Sequence, residues 1–185
     1  LLNMTNITTG VQPAEEVLFT LITKQWGEYS EAKIEQLIDK RFIPLMKRIN
    51  ADPDMATMYC CSGHIKKEKS YDPEEISSYM VLLVRGKRVV QFQRMVNFIE
   101  AQPGYRPLAR IPGWSWCGGS IPVPPWQYPI ADLVFVNNIT LYHIGKMSDD
   151  PTGMLTVQKW DDLFNKFIFG QPAWGSKNET VPLLD

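Results

Sequence analysis

The stretch YMVLLVRG, residues 79–86, constrains the fold of this chain more than any other. Its apolar residues lack the alternation of a half-buried strand, so it predicts a strand buried on both faces. A length of 185 residues makes one domain the expected arrangement, and 44% hydrophobic composition supplies an ordinary core. We expect a single α/β or α+β domain over 13–170, with a mixed sheet of about four to five strands flanked by helices. A flexible tail at 1–12 and an extended tail at 171–185 would lie outside it.

Apolar periodicity and turn residues predict the remaining elements. A first helix begins at Pro13 and ends at Gly27, and a second begins after Ser30. Pro44 interrupts the second helix, which predicts a kink or two shorter helices. Other segments show strand or helix patterns: a strand at 55–61, two strands within 131–145 separated by a turn or bulge at Asn137-Asn138, and helices at 87–102 and 156–170.

Residues 103–129 differ from the rest of the chain. Seven of the 14 prolines fall in this segment, together with Trp114, Trp116 and Trp126. Proline does not fit a helix interior or a central strand, whereas tryptophan buries a large area when it packs. The segment therefore predicts a long, ordered and irregular loop.

Charge and cysteine content narrow the classes of function. The chain has 19 basic and 20 acidic residues, which argues against nonspecific nucleic-acid binding over the whole surface but allows a local basic patch. Three cysteines are typical of a reducing compartment rather than a disulfide scaffold, so we expect no disulfide-linked partner. No apolar run reaches the ~20 residues of a membrane span. We expect a cytoplasmic protein with no membrane partner, in the host cytoplasm if the chain is viral.

Residues 38–65, IDKRFIPLMKRINADPDMATMYCCSGHI, contain an ordered series of motif residues. Asp39 precedes a Pro-Leu pair, an Ile-Asn pair, a Pro-Asp pair and a Thr-containing strand that ends in Cys-Ser-Gly. The strand YMVLLV, the helix after it and Gly-Tyr-Arg at 104–106 continue the order. Over residues 38–106 the chain resembles the wybutosine-synthesis methyltransferase family, which N-methylates a tricyclic guanine derivative in tRNA for phenylalanine. It departs from the family pattern at His64, where the family has Arg, and at Cys60, where it has Ser.

The resemblance implies a methyltransferase that uses S-adenosylmethionine as cofactor and a modified tRNA base as substrate. In such chemistry the protein chiefly positions two reactants, so the lack of a catalytic triad excludes little. The catalytic residues stay unknown.

The turn CCSGH, residues 60–64, is open to four interpretations. As a metal site, the turn would supply Cys60, Cys61 and His64 as ligands, with Cys117 as the fourth. Adjacent cysteines on a strand point to opposite faces, so we expect no metal. As a nucleophile, Cys61 would be activated by His64. As a cradle, Ser62 and Gly63 would present backbone N–H groups to a phosphate or carboxylate, with His64 as a further donor. As a plain bend, the turn would be solvated.

Basic and aromatic residues elsewhere would complete such a cradle. Arg85 and Arg88 follow the next strand, and pairing of the two strands could place them at the same end of the sheet as the turn. Trp114 and Trp116 either stack on a flat base or cap the core, and Arg106 flanks them.

The leading hypothesis is a site for a nucleotide or structured RNA between the CCSGH turn and the tryptophan-rich segment. Its residues would be Cys61, Ser62, Gly63, His64, Arg85, Arg88, Arg106, Trp114 and Trp116. The alternative is a non-catalytic ligand-binding or host-modulating protein on the same scaffold. A third hypothesis is a thiol hydrolase that uses Cys61.

Overall fold

The computed structural model describes residues 13–65, 74–123 and 134–170. In these ranges the elements are α1 (Pro13–Glu28), α2 (Glu31–Leu37), α3 (Ile43–Asn50), β1 (Met55–Cys61), β2 (Glu75–Val84), α4 (Arg88–Glu100), β3 (Gly113–Val123), β4 (Val134–Lys146) and α5 (Met154–Phe167). The prediction of a sheet flanked by helices is confirmed. The predicted tails at 1–12 and 171–185 lie outside the described residues.

The four strands form one sheet in the order β1-β2-β4-β3, and every neighbouring pair is antiparallel. The prediction of a mixed sheet, with both parallel and antiparallel pairs, is therefore wrong for the described strands, whose pairs are all antiparallel. Strands β2 and β3 point the same way and are joined through α4, as a parallel pair would be. However, β4 lies between them and pairs antiparallel with both. Connection lengths do not show that a later strand will insert there, so the sequence pattern did not separate these arrangements.

The main core lies between one face of the sheet and helices α3, α4 and α5. Met80 and Leu82 of β2 belong to one cluster of buried residues with Phe92 of α4 and Trp160 of α5. The indole Nε1 of Trp160 donates a hydrogen bond to Ser78 Oγ at 2.8 Å, which satisfies its polar atom within the core. Burying a side chain such as Phe92 contributes roughly 1.5–3 kcal/mol.

The first helix covers part of the opposite face. Val81 and Leu83 pack there in a second cluster with Phe19 of α1. Residues 81–83 are consequently all buried, as the unalternated run predicts. Tyr79 precedes Val81 by two residues on the same face, yet it is exposed. This face is therefore covered at one end of β2 and accessible at the other.

The irregular loop predicted at 103–129 is wrong for residues 113–123, which form β3. Among the described strands β3 lies at the edge of the sheet. An edge strand tolerates Pro122 because a backbone without N–H can face away from its neighbour. Residues 103–112 are irregular, as predicted, and 124–129 lie outside the described residues.

The two strands predicted within 131–145 are one strand, β4. Asn137 and Asn138 pair in register with Ser120 and Gly119 of β3, so the ladder continues where the sequence indicated a turn or bulge. Asparagine is typical of turns, but pairing with a neighbouring strand overrides that local preference.

The helical unit before β1 matches its prediction. Ser30 caps α2, and its side chain accepts a hydrogen bond from the backbone N–H of Lys33. The chain then breaks, and α3 begins at Ile43 with Pro44 in its first turn. Pro44 therefore separates two short helices, because proline fits the start of a helix and not its interior.

Candidate functional site

Arg41 organises the CCSGH turn. Its Nη2 donates hydrogen bonds to Ser62 Oγ and to the Gly63 carbonyl oxygen, each at 3.2 Å. The same guanidinium donates to the Asp39 carboxylate at 2.7 and 2.9 Å, and to the Thr152 carbonyl oxygen at 3.0 Å. The hydrogen bond from Arg41 lowers the pKa of Asp39 to about 2. One partly buried cation thus ties the end of β1 to the segment before α5.

The turn itself has the features of a structural bend. Gly63 has a φ of +90°, and a Cβ atom there would lie 2.4 Å from Cγ2 of Ile76. Ser62 and Gly63 are buried, whereas His64 is exposed. Since Ser62 Oγ and the Gly63 carbonyl both accept from Arg41, two polar atoms of the turn are directed to a cation of the chain itself.

The adjacent cysteines lie on opposite faces of β1, as predicted. Cys60 packs against the main core, and burial raises the pKa of its thiol to about 12. Cys61 lies opposite Tyr79 in register. In the ranges that the structure describes, no group of three or more His, Cys, Asp or Glu side chains is placed to hold a metal ion. Cys60 is therefore a neutral core thiol.

Arg85 and Arg88 lie at the far end of β2 from the turn. Antiparallel pairing sets Cys61 opposite Tyr79, so β2 begins beside the turn and runs away from it. At roughly 3.4 Å per residue, its end is about 17 Å from Tyr79. The structure does not bring these arginines to the turn, because the strands that connect them are antiparallel.

Both arginines have partners within the fold. Arg88 Nη2 forms an ion pair with Asp52 Oδ2 at 2.6 Å. Arg85 forms an ion pair with Glu16, and its guanidinium carbon lies 4.5 Å from the ring centroid of Phe19. These contacts tie the end of β2 to α1, and the start of α4 to the turn between α3 and β1, which is a structural role.

The two described tryptophans of the 103–129 segment cap the core. Trp116 is buried, and its Nε1 donates to Glu100 Oε1 at 3.0 Å. Trp114 packs edge-on against Trp160 and His143, with ring centroids 4.8 and 4.7 Å apart. Of the two interpretations of these rings, the structure favours core capping over base stacking.

Helix α1 covers one face of the sheet near the end of β2 and leaves the same face open near the start of β2. A cavity of about 380 Å³ lies on this open part. We define the open patch as the side chains of this face that line the cavity: Ser77, Tyr79, Ser115, Cys117, Tyr142 and Ile144. Residues 108–110, before β3, form its rim. Tyr79 and Tyr142 lie opposite each other on β2 and β4 and are 37% and 38% exposed. Cys61 borders the patch as the β1 partner of Tyr79.

The phenols of the open patch are protonated at physiological pH. Burial raises the pKa of Tyr142 to about 12, assisted by the contact of its Oη with Cys117 Sγ at 3.8 Å. Burial also raises the pKa of Tyr79. At the rim, Arg110 Nη2 donates to the Glu75 carboxylate and, at 3.0 Å, to Ser77 Oγ. The patch therefore combines aromatic faces, neutral hydroxyls and a partly compensated cation.

The pairing of Tyr79 with Tyr142 is not predicted from the sequence. The sequence pattern places Tyr79 at the start of a buried strand and Tyr142 in the second of the two strands predicted within 131–145. A weak signal was present, because Ser77-Tyr79 and Thr140-Tyr142 both place polar or aromatic residues two apart on one side of a strand. That signal does not show that the two strands are neighbours.

The predicted site residues are therefore only partly brought together. Cys61 borders the open patch, and Arg106 is exposed on the turn that precedes its rim. Ser62 and Gly63 are bonded to Arg41.

No family model, curated protein or solved structure matches this chain. Among the helices that the structure describes, none is both long and apolar enough to cross a membrane.

Proposed function

We propose that this protein binds a nucleobase-containing ligand, a nucleotide or RNA, in the open patch. One observation carries the proposal: Tyr79 and Tyr142 stand side by side, partly exposed, in a cavity of about 380 Å³. Aromatic side chains stack on bases of any sequence, and each stack contributes about 1–3 kcal/mol. The volume is within the range of roughly 300–1,000 Å³ that small-ligand pockets occupy.

Polar groups around the rings support the same class of ligand. The hydroxyls of Ser77 and Ser115 line the cavity and can hydrogen-bond to base edges or ribose. Arg110 lies on the rim, and the exposed Arg106 lies in the turn before it, so both guanidinium groups can attract a phosphate. A guanidinium is suited to phosphate because it offers several donors in one plane.

The cavity groups favour binding over acid–base catalysis. Both phenols have a raised pKa, so neither acts as a base near neutral pH. This favours the alternative form of the hypothesis, a non-catalytic binding module. Methyl transfer, which the family resemblance implies, stays part of the proposal in a specific form: the adenine of S-adenosylmethionine would stack on the same rings.

A thermal-shift titration tests the proposal. Wild-type protein is titrated with AMP, GMP, CMP, UMP, S-adenosylmethionine and S-adenosylhomocysteine, beside the double variant Tyr79→Leu/Tyr142→Leu. Leucine keeps apolar bulk on the sheet but has no aromatic face. A ligand at 100 times its Kd stabilises the fold by about 2.7 kcal/mol, which is a clear shift in Tm.

We expect at least one nucleotide to stabilise the wild-type protein and to lose its effect in the double variant. The same result with S-adenosylmethionine would extend the proposal to methyl transfer. If no compound shifts the Tm, or if the double variant responds like the wild type, binding in the open patch is rejected.

A further inference from the structure

The open patch has a geometry for two bases rather than one. Tyr79 and Tyr142 are register partners on neighbouring strands. Neighbouring strands lie about 4.8 Å apart, so the two rings are presented at nearly the same height on the sheet. Their exposed fractions, 37% and 38%, are almost equal, so neither ring is buried in the core and both can contact a ligand. A single nucleotide would use one ring and leave the other in water.

We propose that the open patch binds single-stranded RNA, with two consecutive bases stacked on Tyr79 and Tyr142 and with Leu108 as an apolar lip over them. The inference rests on the proposed function and narrows its ligand. An RNA strand that crosses β2 and β4 brings one base to each ring. One class of RNA-binding domain stacks two or three bases on aromatic residues of a four-stranded sheet.

Leu108 is held in a conformation that its residue type disfavours. Its φ is +59°, a left-handed value that a side chain with Cβ rarely adopts. It lies in the turn that the hydrogen bond from Ala109 N–H to the Arg106 carbonyl oxygen closes at 3.3 Å. Its side chain is 79% exposed and lines the cavity. Strain of this kind persists where the surrounding structure fixes it, and it is concentrated at ligand-binding sites. At Leu108 it presents an apolar side chain at the mouth of an aromatic cavity.

The charge around the patch fits a ligand held mainly by stacking. Arg110 is already paired with Glu75. The two phenols are neutral, so they do not repel phosphates. Each phosphate neutralised on a single strand contributes about −0.7 to the slope of log K against log salt. With one or two phosphates near Arg106 and Arg110, the slope should be about −0.7 to −1.4.

Competition measured by fluorescence anisotropy tests the two-base site. A fluorescein-labelled eight-nucleotide RNA of mixed sequence is displaced from the full chain by the four ribonucleoside monophosphates and by ApA, GpG, CpC and UpU. We expect the best dinucleotide to bind at least tenfold tighter than the best mononucleotide. Tyr79→Leu and Tyr142→Leu should each remove that advantage. Tyr79→Phe and Tyr142→Phe retain an aromatic ring and should therefore retain the dinucleotide advantage. Tyr29→Ala, just after α1 and outside the open patch, should retain it as well.

The outcomes separate this inference from the proposed function. If mononucleotides bind and dinucleotides bind no tighter, the two-base site is wrong and nucleotide binding stands. If neither class of ligand displaces the labelled RNA and the RNA itself does not bind, both proposals fail. A salt slope steeper than about −3 would show that phosphate contacts dominate, which also overturns a stacking site.

A pair of variants tests the lip. Leu108→Gly relieves the left-handed strain and removes the apolar side chain, so we expect a higher midpoint of urea denaturation together with at least threefold weaker RNA binding. Leu108→Met keeps an apolar side chain and should bind RNA as the wild type does. Full RNA affinity in Leu108→Gly would show that Leu108 is not part of the site.

Discussion

Single residues decide the form of the CCSGH turn. Gly63 and Gly153 both have positive φ, at +90° and +73°. A Cβ atom at Gly153 would lie 1.7 Å from Nη1 of Arg41, so glycine leaves the space that the guanidinium occupies. The turn, the segment before α5 and Arg41 are therefore fitted to one another. This explains why a motif with the composition of an anion cradle is a bend that accepts hydrogen bonds from a cation.

Gly63→Ala should destabilise the fold by about 2–4 kcal/mol. The new Cβ would lie 2.4 Å from Cγ2 of Ile76, and Ile76 is fully buried, so it has little room to move. The left-handed backbone adds strain for any residue with Cβ. Urea denaturation measures the change. Gly27→Ala in α1 is the control, because its Cβ would meet no atom within 4 Å, and it should be neutral or stabilising by up to about 1 kcal/mol. Equal midpoints for Gly63→Ala and wild type would contradict this packing.

The residue types of the turn predict that the chain bends there. They do not predict which side chain the bend contacts. A positive φ at Gly63 and opposite directions for Cys60 and Cys61 follow from local rules. The contact with Arg41 does not, because it depends on how α3 and β1 pack. Sequence alone therefore left cradle and bend as alternatives.

Helix α5 begins without a side-chain cap on its own N-cap residue, Gly153. Asp150 supplies the missing acceptors: its carboxylate accepts from the backbone N–H of Leu155 at 3.0 Å and of Thr156 at 2.7 Å. The hydroxyl of Thr156 donates to it at 2.6 Å. Burial raises the pKa of Asp150, but these hydrogen bonds outweigh it, so the net pKa is lowered.

Asp150→Ala should cost about 2–3 kcal/mol, because it leaves N–H groups at the start of α5 unpaired in a buried place. Asp150→Asn should cost less, since an amide oxygen can still accept one of the bonds. Asp149→Ala, at the exposed neighbouring position, is the control and should change stability by less than about 0.5 kcal/mol. Urea denaturation followed by the intrinsic fluorescence of the six tryptophans, which include the buried Trp160 of α5, measures the change in stability. Equal stability of the two alanine variants would show that Asp150 does not cap the helix.

Elements whose pattern reflects their own contact with the core were predictable. The run at 79–84 and the periodic segments that became α4 and α5 belong to this group. Strand β3 was not predictable from composition, because an edge position removes the penalty that proline carries in a central strand. Strand β4 was not predictable as one strand, because pairing with β3 keeps Asn137 and Asn138 extended.

At the scale of the whole molecule, the candidate site exists only when all four strands have paired. Cys61, Tyr79, Tyr142 and Ser115 lie in one row across β1, β2, β4 and β3. Register brings them together, and no local pattern records register between strands so far apart in sequence. The predicted site between the CCSGH turn and the tryptophan-rich segment stays a prediction, and of its residues Cys61 borders the open patch. It did not name the tyrosines that carry the proposal.

His143 couples the stability of the whole fold to pH. It is 2% exposed, and within the described residues its Nδ1 has no hydrogen-bond partner. Burial lowers its pKa from 6.5 to about 4, with Lys159 acting in the same direction and Asp150 opposing it. The unfolded chain therefore takes up a proton between these pH values that the folded chain does not take up.

The free energy of unfolding should accordingly be fully retained above pH 6.5 and should fall by about 3 kcal/mol as the pH drops to about 4. Urea denaturation at intervals between pH 7 and pH 4 measures this slope. Above pH 4 the carboxylates of Asp39 and Asp150 contribute little to the slope, because the stability linked to a lowered carboxyl pKa is lost mainly as the pH falls below the ordinary value of 3.8. His143→Phe removes the titrating group and should flatten the curve. His64→Gln, at the other histidine of the chain, is exposed and should leave the slope unchanged. A slope that persists in His143→Phe would assign the pH dependence to other groups.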